Sequence, residues 1–321
     1  MINFIIAFCS ALTFAEDGEH RVTGGEAASD GAWPDVAAIY FDNEVGCTGV
    51  LIAPDVVLTA AHCAEGITAV KLDTTDFTKG GEHISADRVV TYPKWTRTYD
   101  LALVFLSRDA KVKPRTIAQD CVLDEFLTEG SDVAVVGYGA TDAWGEEYGT
   151  TLQEGVTNVE DPDCTDLEGG CNREVSPAGE VGAGGGGVDA CFGDSGGPLY
   201  LLTDDGAYLL GITSRGYDDA KLPCSEGGIY VRPDAVVAWI EEEIGQELAT
   251  PSCDGSGDDG LPGEDDVTAW GEDIVSMSYE VGVCGLPLDV GGWGIAVGAS
   301  GWLVRRRAGN KSRLRPGRPA A

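Results

Sequence analysis

Short apolar runs separated by turn-forming residues dominate the first 245 positions of the chain. Four of them are bounded by Gly, Asp or Pro, at residues 36–40, 49–52, 132–136 and 208–212. Runs of this length with such punctuation predict β-strands. From Asp234 the spacing becomes helical, which predicts one amphipathic helix capped by that residue. Its apolar positions are Val236, Val237, Trp239, Ile240 and Ile244.

Net charge and cysteine content limit the kinds of partner and the cellular compartment that we expect for the protein. The formal net charge is −33, from 54 acidic and 21 basic side chains. A field of this sign repels nucleic acid and anionic lipid and attracts basic peptides, so we expect no nucleic-acid partner. The ten cysteines and an apolar leader predict an oxidising compartment.

The amino-terminal end reads as a leader. Residues 2–15 are apolar and end in Thr-Phe-Ala, which predicts a secretory signal peptide over residues 1–15, although no basic residue precedes it. Residues 16–21 then form a short acidic propeptide. At the other end, residues 246–283 are rich in Asp, Glu, Gly and Pro and predict a flexible, solvated acidic linker, with calcium binding by its carboxylates as the less favoured alternative.

The last segment, residues 284–321, carries a short hydrophobic stretch at 291–304 followed by three arginines. The hydrophobic stretch is short for a segment that crosses a bilayer, and the arginines resemble the positive charges that follow such a segment on the inner side of a membrane. The segment resembles bacterial carboxy-terminal sorting signals of the Gly-Gly or myxobacterial type. That resemblance implies a sorting protease, removal of the tail and delivery to the cell surface. A retained transmembrane anchor and a disordered tail remain open.

Residues 193–198 read Gly-Asp-Ser-Gly-Gly-Pro and can supply a nucleophile and an oxyanion site. A serine hydroxyl is a weak nucleophile, so this chemistry requires a base and an acid elsewhere. His62 lies in Thr-Ala-Ala-His-Cys after an apolar run, and Asp100 opens another apolar run. The two other histidines, His20 and His83, lie in polar stretches and are interpreted as solvated.

The three segments around His62, Asp100 and Ser195 resemble, in order and separation, those of the trypsin/chymotrypsin-type serine proteases. The resemblance implies an all-β fold of two six-stranded antiparallel barrels with a carboxy-terminal helix over residues 22–245. It implies that Ser195 attacks the scissile carbonyl, that His62 carries the proton and that Asp100 orients His62. The amides of Gly193 and Ser195 form the oxyanion hole.

The resemblance also implies activation and specificity. The stretch from Arg21 to residue 25 resembles the family's activation site, where an activating protease cuts and the new α-amine of Val22 inserts beside Asp194. Asp189 lies at the bottom of the specificity pocket, which implies protein or peptide substrates with Arg or Lys before the cut. The residues implied to start or wall that pocket are Ser214, Gly216 and Gly228.

Arg215 departs from the family, which commonly carries tryptophan there. A cation beside the mouth of the pocket is expected to disfavour basic residues upstream of the cut and to favour acidic or small ones.

The family framework implies the disulfides Cys47–Cys63 and Cys191–Cys224, and proximity suggests Cys164–Cys171. Cys121 with Cys253 is a further option, and Cys284 is left over. No cofactor is expected. Calcium is left open in the loop where relatives sometimes hold it, because the spacing of Asp73, Asp76 and Glu82 does not decide the question.

The sequence therefore predicts a secreted or surface-directed, monomeric serine endopeptidase made as a zymogen. Two alternatives stay open: a non-catalytic binding module on the same fold, which usually lacks a triad residue, and an esterase using the same triad.

Overall fold

The structure is a computed structural model that describes residues 22–251. The signal peptide, the propeptide with Arg21, the cysteines Cys253 and Cys284, most of the acidic linker and the carboxy-terminal tail lie outside the described residues. Within residues 22–251, no helix is both long and apolar enough to cross a membrane.

Two antiparallel β-barrels form the described part, as predicted. The first closes in the order β2-β3-β4-β7-β6-β5, with β5 pairing back to β2. Fully buried aliphatic side chains such as Ile39, Leu51 and Leu103 fill it. Its strands are β2 (Val36–Phe41), β3 (Glu44–Ala53), β4 (Val56–Thr59), β5 (Ala69–Leu72), β6 (Glu82–Thr91) and β7 (Ala102–Leu106).

The second barrel closes through the pairing of β8 with both β9 and β11, and the short strand β1 (Glu26–Ala27) adds to β9. Leu199, Leu210 and Tyr230 are buried inside it. Its strands are β8 (Asp132–Gly137), β9 (Gln153–Asp161), β10 (Glu180–Ala183), β11 (Pro198–Thr203), β12 (Gly206–Gly216) and β13 (Gly228–Val231). All four runs singled out in the sequence lie in strands of the two barrels.

The predicted carboxy-terminal helix is present as α2 (Val237–Ile244), after a 3₁₀ turn at Asp234–Val236. The predicted cap is wrong: Asp234 makes no capping hydrogen bond, and its carboxylate instead binds the guanidinium of Arg232 at 2.8 Å. A charged partner this close outcompetes main-chain amides for the carboxylate. A second helix, α1 (Asp120–Phe126), follows the first barrel and was not predicted.

Three disulfides join cysteines within the described residues, and they are the expected pairs Cys47–Cys63, Cys164–Cys171 and Cys191–Cys224. The first and third brace the walls of the cleft described below. Cys121 is also disulfide-bonded.

Candidate active site

A cleft of about 710 Å³ opens between side chains of the two barrels. The first barrel contributes His62, which lies in a 3₁₀ turn (Ala61–Cys63) directly after β4. The second barrel contributes Ser195, from the turn before β11, and Asp189. Residues more than 130 positions apart in the chain thus line one cavity.

Asp100 holds His62 at two points. Its Oδ2 lies 2.7 Å from Nδ1 of the ring, and its Oδ1 accepts the main-chain N–H of His62 at 2.9 Å. The hydroxyl of Ser214 donates a further bond to Oδ2 at 2.8 Å. Burial acts to raise the pKa of Asp100, but the bonds from His62 and Ser214 outweigh it and hold the pKa below its usual value. Asp100 is therefore charged at neutral pH and fixes the orientation of the ring.

Glycines shape the turn that carries Ser195. Gly193 and Gly196 have φ of +97° and +80°. A Cβ on Gly196 would lie 2.0 Å from Oγ1 of Thr59 and 2.5 Å from the carbonyl of Thr48. Only glycine combines this backbone conformation with so close an approach. The turn brings the serine to the first barrel, where its carbonyl accepts the N–H of Thr48 at 2.9 Å.

Thr48 is a site residue that sequence reasoning missed. Its hydroxyl donates to the carbonyl of Gly193 at 2.9 Å and accepts the N–H of Tyr138 at 3.1 Å. Together with the main-chain bond to Ser195, the hydroxyl bond to Gly193 braces this turn from the opposite barrel, and the bond from Tyr138 holds the hydroxyl in place. The signal in the sequence is a polar residue among the apolar residues of the second half of β3, and in the folded protein Thr48 is completely buried.

Asp189 closes the bottom of the cleft and is 3% exposed. Its Oδ2 accepts the N–H groups of Ser225 and Gly227, both at 3.0 Å. Its Oδ1 is buried and has no hydrogen-bond partner among the described residues. Burial raises the pKa of Asp189 to about 6, partly offset by these main-chain bonds. An unpartnered buried carboxylate oxygen favours a ligand that brings a positive donor.

Gly216 and Gly228 line the cleft together with Asp189. A Cβ on Gly228 would lie 2.9 Å from the main-chain oxygen of Arg215 and 3.8 Å from Oδ1 of Asp189, whereas a Cβ on Gly216 would meet no atom closer than 3.9 Å. The expected pocket residues thus lie together in the cleft.

The sequence model of the Trypsin family matches residues 22–240. The chain belongs to the trypsin family of serine proteases. Serine protease 56 of Homo sapiens is 34% identical over 251 residues, which cover 73% of this chain and 40% of that relative. The mouse protein of the same name is 32% identical with the same coverage, so the chain spans well under half the length of these two relatives.

Bovine anionic trypsin is similar over nearly its whole length: it is 30% identical over 249 residues, 75% of this chain and 96% of the relative. Among solved structures, neuropsin, described as a serine protease expressed in the limbic system of mouse brain, superposes with a TM-score of 0.59 at 26% identity. That match covers 68% of this chain and 98% of neuropsin.

In this trypsin-family chain Asp194 is completely buried beside the nucleophile turn. Its two carboxylate oxygens accept the N–H groups of Gly139 at 2.7 Å and Cys191 at 2.9 Å. A Cβ on Gly137 or Gly139 would lie 2.1 Å or 2.5 Å from this carboxylate, so the niche exists because both residues are glycine. Burial, aided by the charge of Asp189, raises the pKa of Asp194 to about 7.

Val22 is fully buried among side chains of the second barrel. The carbonyl of the next residue, Thr23, accepts the N–H of Asp189 at 3.1 Å, so the start of the described chain is linked directly to the residue at the bottom of the cleft. Arg21 itself lies outside the described residues.

Exposed aromatic rings border the cleft beside the loop that contains Gly145 and Tyr148. Phe192 and Tyr148 line it with 54% and 62% of their surface exposed. Phe192 packs on Gly145, where a Cβ would lie 2.3 Å from the ring. These residues were not singled out from the sequence, because the local pattern around an aromatic residue at the edge of a cleft does not differ from that around an aromatic residue in the core.

Side-chain cations lie against two of the carboxylates considered for calcium. Lys79 is 2.7 Å from Asp76, and Arg108 pairs with Glu82. The bond to Lys79 holds the pKa of Asp76 far below its usual value. Over residues 22–251 there is no cluster of three or more His, Cys, Asp or Glu side chains arranged to hold a metal.

Proposed function

We propose that this trypsin-family protein is a secreted serine endopeptidase that cleaves after Arg or Lys. The observation that carries the proposal is the hydrogen-bonded series Ser214, Asp100, His62, which ends in the cleft that Ser195 lines. A fixed, charged acid behind an imidazole is what a serine needs to become a nucleophile.

In the proposed reaction, the Oγ of Ser195 forms a bond to the scissile carbonyl carbon while His62 accepts the hydroxyl proton. The carbonyl oxygen becomes negative and is stabilised by the N–H groups of Gly193 and Ser195. The C–N bond then breaks, and His62 returns its proton to the leaving amine. Water, deprotonated by His62, hydrolyses the acyl-enzyme. Asp100 stays ionised and stabilises the transient imidazolium.

The unpartnered Oδ1 of Asp189 supports the basic specificity. A guanidinium or ammonium between the glycine walls would satisfy this oxygen and offset its burial, whereas an apolar side chain would not. Arg is expected to exceed Lys as a substrate, because its planar fork can meet the carboxylate with two donors.

The proposed zymogen step uses Asp194. An activating protease cuts after Arg21, and the α-amine of Val22 becomes a cation. The side chain of Val22 is buried in the second barrel, which also contains Asp194, and in this proposal the new amine pairs with that buried carboxylate. Pairing would order the turn that carries Gly193 and Ser195.

Export is supported by the three disulfides, which require an oxidising compartment. The signal peptide of residues 1–15 and sorting of the tail at the cell surface remain part of the proposal. Mass spectrometry of both ends of the mature protein tests them: Val22 is expected as first residue, with the chain ending near Cys284. A mature protein that keeps residues 291–304 would contradict removal of the tail.

Labelling with a fluorophosphonate probe, before and after cleavage at Arg21, tests the activity. Strong labelling only after cleavage is expected, and a Ser195→Ala variant must not label. Peptide and ester substrates with Arg before the cut are then compared. No labelling of the cleaved protein would contradict the proposal and favour a binding module, and ester hydrolysis without peptide hydrolysis would favour an esterase.

A further inference from the structure

Arg215, the departure from the family pattern, is paired in the structure. It follows Ser214 on β12, lines the cleft and has a side chain that is 33% exposed. Its Nη2 donates to Oε2 of Glu180 at 2.9 Å and to the carbonyl of Gly170 at 2.8 Å. Its Nη1 lies 2.9 Å from Oε1 of Glu180, as an ion pair without hydrogen-bond geometry. The guanidinium is thus drawn to the wall of the cleft.

Glu180 is the buried member of the pair. It is the first residue of β10, has no exposed surface, and also accepts the main-chain N–H of Asn172 at 2.7 Å. A buried carboxylate without a cation costs several kcal/mol, and the guanidinium of Arg215 offsets that cost for Glu180. The pair therefore contributes almost no net charge to the cleft.

The surroundings keep the pair in place. The amide of Asn172 donates to the carbonyls of Arg97 and Thr98, at 3.1 Å and 3.0 Å, in the segment just ahead of Asp100. Gly170 precedes a cysteine of the Cys164–Cys171 disulfide, which closes the same loop. Arg215 is consequently held against the loop that contains Gly170, and Asn172 links that loop to the segment ahead of Asp100.

We propose that Glu180 is a specificity-determining residue that cancels the charge of Arg215, so that the cleft upstream of the scissile bond is a neutral polar wall. This inference rests on the proposed endopeptidase activity. It replaces the expectation drawn from Arg215 alone, because that expectation assigned the cleft a full positive charge. With the pair intact, acidic and basic residues upstream of the cut are accepted nearly equally.

The physical basis is charge complementarity between the cleft and the substrate. Arg215 and Asp189 line the same cleft. A substrate whose Arg reaches Asp189 would therefore place the residues before that Arg near Arg215. A single uncompensated charge at a partly exposed wall changes the binding of a charged residue by about tenfold, and salt screens it. Removing either partner should therefore produce preferences of opposite sign.

The test uses the cleaved full chain and peptides with Arg before the cut and Glu, Ala or Lys one and two positions further upstream. For the wild type, kcat/KM is expected to differ less than threefold between the Glu and Lys peptides. Glu180→Gln should raise the ratio of kcat/KM for the Glu peptide to that for the Lys peptide about tenfold, and this increase should disappear at high salt. Arg215→Gln should shift the ratio toward Lys by about threefold, and the double variant should return near the wild type.

Glu174→Gln is the matched control, because Glu174 is exposed in the same loop and its loss changes the net charge equally. It should leave the ratio within twofold of the wild type. A Glu180→Gln ratio within twofold of the wild type, in protein that labels fully with fluorophosphonate, would overturn the inference. If that variant does not fold, Arg215→Gln decides, and an unchanged ratio there would overturn the inference equally.

The labelling step separates this inference from the proposed function. Failure of the cleaved wild type to label would overturn the proposed function and the inference together. The inference alone would be overturned if the wild type labels and cleaves after Arg but its kcat/KM values for the Glu and Lys peptides differ more than tenfold, and if neither substitution alters that difference.

Discussion

Asp100 binds His62 through both of its carboxylate oxygens, one to the ring at 2.7 Å and one to the main-chain N–H at 2.9 Å. The two bonds join the segment just before β7 to the turn after β4 within the first barrel. The acid therefore fixes both the position of the backbone that carries the imidazole and the orientation of the ring.

Replacing Asp100 with Asn should leave the fold intact and lower kcat by about 10⁴-fold, the effect general to this triad. The amide cannot stabilise the imidazolium, and it favours the wrong tautomer of His62. Active-site-titrated hydrolysis of an Arg ester measures the loss. Ser214→Ala, which removes one bond to the same oxygen but no charge, is the comparison and should cost far less. Equal losses in the two variants would contradict this role.

Specificity should weaken in acid because of Asp189. Its pKa is raised to about 6 by burial, so the carboxylate is protonated and neutral as the pH falls below that value. The ratio of kcat/KM for an Arg substrate over a Phe substrate should drop about tenfold from pH 8 to pH 5. Groups that both substrates need, when they titrate, change both kcat/KM values equally, so their effect cancels in the ratio.

Asp189→Ser supplies the control for this titration. The variant should lose most of its Arg preference at pH 8, and its remaining ratio should not change with pH. A wild-type ratio that stays constant down to pH 5, or an Arg preference that survives the substitution, would rule out Asp189 as the specificity group.

Cleavage at Arg21 should stabilise the protein most near neutral pH. In the described structure Asp194 has a pKa raised to about 7 by burial, against 3.8 as the ordinary value. A carboxyl with a raised folded-state pKa contributes its full stability below the unfolded-state pKa and loses it as the pH rises through the folded-state pKa. The uncut chain therefore loses stability between about pH 4 and pH 7, whereas in the cut chain the α-amine of Val22 offsets that loss.

Urea unfolding of cut and uncut protein, both carrying Ser195→Ala to prevent self-cleavage, measures the difference. The cut form should gain on the order of 4 kcal/mol over the uncut form between pH 4 and pH 7. The gain should decline again above about pH 8, where the α-amine deprotonates. A difference that does not vary with pH would argue against pairing with Asp194.

Gly196→Ala should destroy the nucleophile turn. The new Cβ would lie 2.0 Å from Oγ1 of Thr59 at a φ of +80°, so both a clash and backbone strain oppose it. Gly186→Ala is the matched control, because Gly186 has a φ of +64° but no atom within 4 Å of the added Cβ. Thermal unfolding should show a loss of about 1–2 kcal/mol for the control, from strain alone, and several kcal/mol more for Gly196→Ala. Similar losses would mean that the close approach to Thr59 is unimportant.

Thr48→Val should weaken the oxyanion side of the site while preserving side-chain volume. It leaves the carbonyl of Gly193 without its donor and the N–H of Tyr138 without its acceptor. The expected cost is about 1–3 kcal/mol in unfolding free energy, with a lower kcat and little change in KM. Thr48→Ser keeps the hydroxyl and should restore kcat. Failure of serine to rescue kcat would show that the methyl group, and not the hydrogen bonds, is what matters.

Local patterns in the amino-acid sequence were enough to predict four of the barrel strands, the final helix and the triad candidates. The evidence was apolar runs between turn residues and the short segments around His62, Asp100 and Ser195. The two-barrel fold and the pairs Cys47–Cys63 and Cys191–Cys224 came from the family resemblance, and Cys164–Cys171 came from proximity in the chain. The predicted cap at Asp234 was wrong because its carboxylate binds the guanidinium of Arg232, two residues earlier in the chain, instead of a main-chain N–H of the helix.

Which groups lie against one another became known only from the folded structure. Thr48 reaches the turn of Ser195 from a strand more than 140 residues earlier, and Glu180 at the start of β10 pairs with Arg215 on β12, a strand that is not its direct neighbour. Burial and Coulomb attraction depend on distances in space, which register and barrel closure set. For that reason the charge of the cleft could not be calculated from the residue type at position 215 alone.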